Sequence, residues 1–331
     1  MSIRVGSEPV AGPKKDCDTI RNVIMNEAIR VESLVKRFGS LTAVDQVSFT
    51  VEQGEIFGIL GPNGAGKTTT LEIIEGLQTP TGGTVTVLGL DILKHARQVK
   101  ARIGVQLQSS AYFDYLSLKE ILALLGTFYP KHMAPDTLLD QVGLLDKSGS
   151  KVSQLSGGQK QRFTVAASLI NDPELVILDE PTTGLDPQAR RNVWGLIRQI
   201  HERNSTVVLT THYMEEAEAL CDRLAIMHQG KLVAIDTPRN LIDQLEATYT
   251  VKLVMSRPLS ESQVASLNGG VEFVQNLGET SYLLRLRNTP AALGTVLDEI
   301  ARNDMSLERL EITPVTLEDV FLELTGNELQ D

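Results

Sequence analysis

The segment with the clearest chemical meaning lies at residues 61–69. It consists of Gly61, Pro62, Asn63, Gly64, Ala65, Gly66, Lys67, Thr68 and Thr69. An apolar run at 56–60 precedes it and apolar residues recur at helical spacing over 71–75, so the pattern predicts strand, loop and helix. Glycines let backbone N–H groups turn inward around a polyphosphate, and the helix adds its positive dipole end. Lys67 is expected to reach the β- and γ-phosphates and Thr68 to ligate Mg2+.

A pair of neighbouring carboxylates supplies a second chemical element. Asp179 and Glu180 follow the apolar run 175–178 and precede Pro181. Because side chains alternate along a strand, the two can do different work. One suits Mg2+ held through water, and the other can accept a proton from an attacking water. Taken alone, the pair is also typical of a strand that ends in a solvated turn.

A second loop also has the residue types that bind anions. Ser156, Gly157, Gly158 and Gln159 precede an amphipathic helix predicted over 160–169. A small hydroxyl and two glycines at a helix N-terminus can bind an anion, although a plain helix cap has the same pattern. If both loops grip one nucleotide from opposite sides, the simplest geometry is a head-to-tail homodimer around two shared nucleotides.

Two further residues are informative only when they are considered together with these loops and carboxylates. His212 follows the predicted buried strand 206–211, where it could donate a hydrogen bond to a γ-phosphate; in isolation it reads as a structural histidine. Gln108 follows 103–105 and could coordinate Mg2+ or position water through its amide. By itself this glutamine carries almost no information.

Composition limits the classes of protein that are possible. The 331 residues carry a net charge of -11, which argues against a protein that coats nucleic acid. Cys17 and Cys221 have no metal-ligand spacing, so free thiols in a reducing compartment are expected. No apolar run approaches the length needed to cross a bilayer. We therefore expect a soluble intracellular chain whose membrane role, if any, comes through a partner.

The pattern of elements predicts three regions of the chain. Residues 1–27 read as a flexible lead. Over 28–245, buried strands alternate with helices, which favours an α/β fold with a parallel sheet and a ligand site at the strand ends. Over 246–331, the predicted order β-α-β-β-α-β, with a closing helix at 317–324, indicates a small ferredoxin-like α+β domain.

Taken together, these landmarks resemble those of the ATP-binding-cassette ATPases over about 29–245. In family order they are the Walker A loop GPNGAGKTT, a Q-loop glutamine, the signature LSGGQ, the Walker B run LVILDE, a D-loop at 184–187 and the switch His212. The resemblance implies a P-loop cassette with a RecA-like parallel sheet core and antiparallel β and helical subdomains. ATP and Mg2+ are the implied substrate and metal.

The resemblance also implies roles for individual residues. Phe38, in the turn after the first strand, would stack on adenine, where the family often has Tyr. Lys67 would hold the β- and γ-phosphates, Glu180 would be the general base and His212 the switch. Mg2+ would be bound by Thr68, Gln108 and Asp179. Gln108 is chosen over Gln106 because of its distance in sequence from Ile103-Gly104. The partner's nucleotide would be met by Ser156, Gly157, Gly158, Gln159 and Asp186.

The later part is similar to the C-terminal segment of ATPase subunits of ABC-2-type exporters of the daunorubicin-resistance kind, with 313–326 as the closing motif. This predicts an ATP-binding and hydrolysing exporter subunit, peripheral on the inner face of the membrane. Its partners would be a second copy and membrane-spanning permease subunits that meet about 108–155, and the permease would bind the transported substrate.

Two other functions compete with this one. A non-transport cassette ATPase acting on DNA or the ribosome is disfavoured by the single cassette, the absence of zinc-type cysteines and the acidic balance. A degenerate binding module is disfavoured because Lys67, Asp179, Glu180 and His212 are all present.

Overall fold

A computed structural model describes residues 27–106, 112–245, 249–267, 271–286, 290–303 and 305–326. Nearly all of the predicted N-terminal lead, 1–26, lies outside the described residues. The same is true of Gln108, the predicted Q-loop glutamine.

The first layer is an antiparallel sheet in the order β2-β1-β4-β5. Its strands are β1 (Glu27–Phe38), β2 (Leu41–Glu52), β4 (Gly82–Val87) and β5 (Leu90–Asp91). The apolar alternation in β1 and β2 puts side chains such as Ile29, Val47 and Phe49 into the core. Phe38 is the last residue of β1 rather than part of the following turn, and 45% of its surface is exposed.

The second layer is a six-stranded sheet in the order β10-β9-β3-β8-β7-β6. Its strands are β3 (Ile56–Leu60), β6 (Ile103–Gln106), β7 (Leu175–Asp179), β8 (Thr206–Thr211), β9 (Arg223–His228) and β10 (Lys231–Asp236). All neighbours pair in parallel except β9 and β10. Strands β3, β7 and β8 are buried along their whole length, as unbroken apolar runs require. Their carboxyl ends meet at one edge.

Eight helices surround this sheet in the described part of the cassette. They are α1 (Lys67–Ile74), α2 (Ile92–Lys100), α3 (Leu118–Gly126), α4 (Pro135–Gln141), α5 (Gly157–Ser168), α6 (Pro187–His201), α7 (Met214–Leu220) and α8 (Pro238–Asp243). The region 91–165 is mainly helical, but it also contributes strand β6 to the sheet. Helix α4 ends at Gln141, because Gly143 takes a positive φ of 62° that ends the helical turn.

The C-terminal unit has the predicted ferredoxin-like order. It comprises β11 (Tyr249–Met255), α9 (Glu261–Leu267), β12 (Val271–Asn276), β13 (Ser281–Leu286), α10 (Pro290–Arg302) and β14 (Leu307–Pro314). The sheet runs β12-β13-β11-β14 with every pair antiparallel. A separate apolar core that includes Val251, Leu284 and Val296 holds the unit together.

The last helix, α11 (Leu317–Thr325), packs in the cassette core rather than in the core of the small unit. Leu317, Val320 and Phe321 are buried there, and the Leu317 N–H donates to Glu218 of α7 at 2.8 Å. An amphipathic pattern shows that a helix will bury one face, but not which surface receives it. No helix in the described ranges is both long and apolar enough to cross a membrane.

Candidate active site

The glycine-rich loop lies between β3 and α1, at the carboxyl edge of the central sheet. Gly66 has a φ of 98°, and a Cβ there would lie 2.5 Å from the Ala43 carbonyl oxygen. At Gly61 a Cβ would lie 2.3 Å from the Met227 carbonyl oxygen. Helix α1 starts at Lys67 with no side-chain cap, so its first N–H groups point toward the loop. The result is the anion-binding cradle that the sequence predicts.

Lys67 is held inside this cradle. Its ammonium donates to the carbonyl oxygens of Gly61 at 2.8 Å and Pro62 at 3.2 Å, and its Nζ lies 3.3 Å from Glu180 Oε1. Burial lowers the pKa of Lys67, while the negative charge of Glu180 opposes that shift. The Lys67 ammonium is buried and already paired, so an anion that enters the loop can replace Glu180 as its ion-pair partner.

The two carboxylates at the end of β7 face different partners, although Glu180 lies just beyond the strand, so strand alternation is not the cause. Asp179 Oδ1 accepts from the Thr68 hydroxyl at 3.4 Å and from the buried Thr210 hydroxyl. The Thr210 hydroxyl in turn accepts from the backbone N–H of Glu180 at 2.9 Å. Gln106 Nε2 donates to the Asp179 carbonyl oxygen at 3.3 Å. Asp179 thus lies against the phosphate loop beside Thr68.

Glu180 turns to the other side, with a φ of 49° that places it just beyond the strand. Its Oε1 lies 3.5 Å from His212 Nδ1, and its Oε2 accepts from the Thr183 hydroxyl at 3.1 Å. Burial acts to raise the pKa of Glu180, but the charges of Lys67 and His212 outweigh it, so the net pKa is lowered. The carboxylate is therefore ionised and positioned between Lys67 and His212.

The signature residues lie at the start of a different helix. Ser156 Oγ accepts from the N–H of Gln159 at 3.3 Å, and Gln159 Oε1 accepts from the N–H of Ser156 at 2.9 Å. A Cβ on Gly158 would lie 2.9 Å from the Cβ of Ala189 in α6. Asp186 caps α6 by accepting from the N–H of Gln188 and of Ala189. This part of the predicted site is thus built at two neighbouring helix starts.

The remaining predicted residue, Phe38, lies at the exposed end of β1, and the Lys36 ammonium is 4.8 Å from its ring centroid.

The structure brings together Lys67, Thr68, Asp179, Glu180 and His212 as the sequence predicts. Sequence reasoning missed Thr210, one of three threonines in the buried strand β8, and it passed over Gln106 as a buried neighbour of Asp179.

A buried carboxyl group at the far end of α1 was also missed. Glu75 is 2% exposed, and burial together with the charges of Asp179 and Glu72 raises its pKa to about 7. It lines a groove of about 440 Å3 whose walls include Leu77, Tyr112 and Phe128. The only sequence signal was an acidic residue on a predicted apolar helix face.

A phosphate loop, two divergent carboxylates and a histidine at the edge of a parallel sheet define a P-loop ATPase cassette. Three kinds of similarity to known proteins agree with this class. The family model described as "ABC transporter" matches residues 44–183.

Curated relatives match almost the whole chain. The Nod factor export ATP-binding protein I of Rhizobium meliloti is 40% identical over 327 residues, covering 97% of this chain and 94% of its own. The protein of the same name from Paraburkholderia xenovorans is 40% identical over 313 residues, with 92% and 99% covered.

Solved structures match the cassette. An ATP-binding subunit of an ABC transporter is 27% identical with a TM-score of 0.60, over 66% of this chain and 92% of that one. An ATP-binding cassette in a dimeric post-hydrolysis state with ADP and Pi is 26% identical with a TM-score of 0.58, over 63% and 98%. The chain therefore belongs to the ABC transporter family. It is the ATP-binding and ATP-hydrolysing subunit of an ABC-type exporter, with hydrolysis coupled to transport, and the matches do not support action on DNA or the ribosome.

Proposed function

We propose that ATP is bound by the loop 61–69 and hydrolysed with Glu180 as the general base. The observation that carries this is the buried cluster in which Glu180 Oε1 lies 3.3 Å from Lys67 Nζ and 3.5 Å from His212 Nδ1. A γ-phosphate entering the cradle competes with Glu180 for the Lys67 ammonium. Glu180 is then left beside the phosphate to take a proton from the attacking water. His212 donates to the γ-phosphate, and Phe38 stacks on the adenine.

Mg2+ fits the oxygen ligands found beside the loop. The Thr68 hydroxyl and the Asp179 carboxylate, 3.4 Å apart, are the hard ligands that this ion takes, and we assign Gln108 to the same set. When bound there, Mg2+ would neutralise the negative charge of the phosphate oxygens. Thr210 holds the Asp179 carboxylate toward that position.

The signature residues act on a nucleotide bound by a second copy of the chain. Ser156, Gly157 and Gly158 are at the first turn of α5, where N–H groups and the helix dipole favour a phosphate. Asp186, at the start of the adjacent α6, meets the same interface. A homodimer closing head to tail on two ATP molecules supplies each site with both loops.

Closure moves membrane-spanning permease subunits, which meet the cassette around 108–155 and at the groove that Glu75, Tyr112 and Phe128 line. The chain is thereby peripheral on the inner face of the cell membrane. Its relatives' names give Nod factor as their exported cargo, and we propose the same class of cargo here, bound by the permease. Residues 28–245 form the ATP-binding domain and 246–331 an accessory domain of the ABC-2 kind, whose helix α11 is anchored on the cassette.

The experiment that tests the assembly is a pull-down of the tagged chain from detergent-solubilised native membranes, with and without ATP. We expect a stoichiometric membrane protein with several spans to co-elute. The Lys67→Ala chain, which should not respond to ATP, is the control for nucleotide dependence. Recovery of ribosomal proteins or DNA-repair factors, with no membrane protein, would contradict the proposal.

A further inference from the structure

A fully buried carboxyl group lies next to the proposed catalytic cluster without belonging to it. Glu216 is in the first turn of α7, four residues after His212. Its Oε1 accepts from the Thr182 hydroxyl at 2.8 Å and from the indole Nε1 of Trp194 at 2.9 Å. Burying a carboxyl group is costly unless donors satisfy it, so this arrangement indicates a specific role.

The two donors belong to segments that carry proposed catalytic residues. Thr182 is two residues after Glu180, and its neighbour Thr183 donates to Glu180 Oε2 at 3.1 Å. Trp194 is in α6, the helix that Asp186 caps. Glu216 therefore ties the turn after Glu180 and the middle of α6 to the helix that follows His212.

The other groups facing Glu216 come from the same segments. The hydroxyls of Thr211 and Thr182, the Trp194 indole and the charge of Arg190 act against the rise in pKa that burial causes at Glu216. The Arg190 guanidinium lies 4.0 Å from the ring centroid of Tyr213, and that ring lies 4.1 Å from the ring of His212. A change at Glu216 would thus reach His212 indirectly, through Arg190 and Tyr213.

We propose that Glu216 is a positioning residue for ATP hydrolysis, which fixes the separation between the segment of Glu180 and the segment of His212. This proposal rests on the roles assigned above to Glu180 and His212. Among the described residues, the side-chain hydrogen-bond partners of Glu216 lie outside the loop 61–69, so its loss should disturb the reacting geometry while ATP binding by the loop remains intact.

The test measures kcat, KM and the ATP dissociation constant of the full chain. Glu216→Ala should lower kcat by about 10- to 100-fold, the range expected when a remote change displaces catalytic groups by about 1 Å. KM and the dissociation constant of a fluorescent ATP analogue should not change. Glu216→Gln keeps an oxygen that can accept from both Thr182 and Trp194, so it should restore most of kcat. Glu215→Ala, the exposed neighbour in the same turn, is the matched control.

Trp194 provides an independent spectroscopic measurement, because it is the chain's one tryptophan. Its emission should shift in Glu216→Ala, where the indole loses its acceptor, and stay at the wild-type position in Glu216→Gln. A role confined to folding would not separate kcat from ATP affinity in this way.

Three results would overturn the proposal. They are an unchanged kcat in folded Glu216→Ala, an equal loss of kcat and ATP affinity, or a Gln variant as inactive as the Ala variant. If Glu216→Ala does not fold, Thr182→Val removes one donor only, and normal kcat in that variant would overturn the proposal as well. Normal turnover in Glu180→Gln would instead contradict the general-base assignment, whatever Glu216 does.

Discussion

The chain presents two glycine-containing loops at helix N-termini, and they are built in opposite ways. In the loop 61–66, glycines with positive φ angles leave the first turn of α1 without a side-chain cap, and a buried lysine lies inside. In the loop 156–158, Ser156 caps its own helix in a reciprocal pair with Gln159 and remains exposed. The first loop is a complete anion site within one chain. The second loop can supply only a few additional hydrogen-bond donors to an anion that is bound mainly by other residues.

The largest expected effect tests the chemistry next to the first loop. Glu180→Gln should reduce ATP turnover by about 10^2- to 10^4-fold, because an amide cannot accept the proton from water. It should still bind ATP and accumulate as a closed dimer, measurable by light scattering. Glu174→Gln, an exposed residue just before the same strand, should turn over normally. A Glu180→Gln chain with wild-type turnover would show that another group is the base.

The second test removes the buried lysine, which only the first loop has. Lys67→Ala should weaken ATP binding by at least about 100-fold, because the γ-phosphate loses its positive contact. The buried Glu180 carboxylate is also left uncompensated beside the phosphate. Titration with a fluorescent ATP analogue measures the effect. Lys94→Ala, whose side chain is 75% exposed, should bind ATP normally. Equal affinities in the two variants would refute the role of Lys67.

A third test addresses how α1, the helix of the first loop, is anchored at its far end. The pKa of Glu75 is raised from 4.5 to about 7, so its neutral form is favoured in the folded chain. The contribution of Glu75 to the stability of the folded chain is complete below about pH 4.5, and it is lost as the pH rises through about 7. The free energy of unfolding should therefore fall by about 2–3 kcal/mol from this group between pH 5 and pH 8.

Denaturant titrations at the two pH values measure that change. Glu75→Gln should remove most of it, whereas Glu279→Gln, at an exposed turn, should not. A Glu75→Gln chain with the full pH dependence would show that another group is responsible.

The smallest effect concerns the second loop. Ser156→Ala should cost about 1 kcal/mol of stability through loss of the helix cap, and turnover should fall roughly 10-fold if the hydroxyl also meets the partner's nucleotide. ATP affinity of the single chain should be unchanged. Ser117 caps α3 with the same reciprocal pattern, so Ser117→Ala should lose similar stability with normal turnover. Equal turnover in Ser156→Ala and Ser117→Ala would show that Ser156 acts only as a helix cap.

Much of the fold and of the candidate site could be predicted from local signals. Residues 61–69 stand between an apolar run and a helical pattern, and this context predicted the strand, loop and helix that carry Lys67 and Thr68. The order of elements after Tyr249 predicted the ferredoxin-like unit, because alternating strands and amphipathic helices have distinct periods. These features depend on neighbours along the chain.

Other features depended on residues far apart in sequence. Thr210 is one of three threonines in the run 206–211, and only the pairing of β7 with β8 places its hydroxyl beside Asp179. Helix α11 was predicted, but its docking on the cassette required the surface of α7 and α8. Glu75 and Glu216 look like ordinary helix acids until packing buries them.

The sequence by itself determined the chemical groups, their order and the local conformations of the loops, because glycine placement, helix caps and hydrophobic period act over a few residues. Only the tertiary structure decided that Glu180 lies between Lys67 and His212, and that the Ser156 loop lies against α6. Those distances are set by parallel strand register and by helix packing, which join segments more than a hundred residues apart along the chain, such as Lys67 and Glu180.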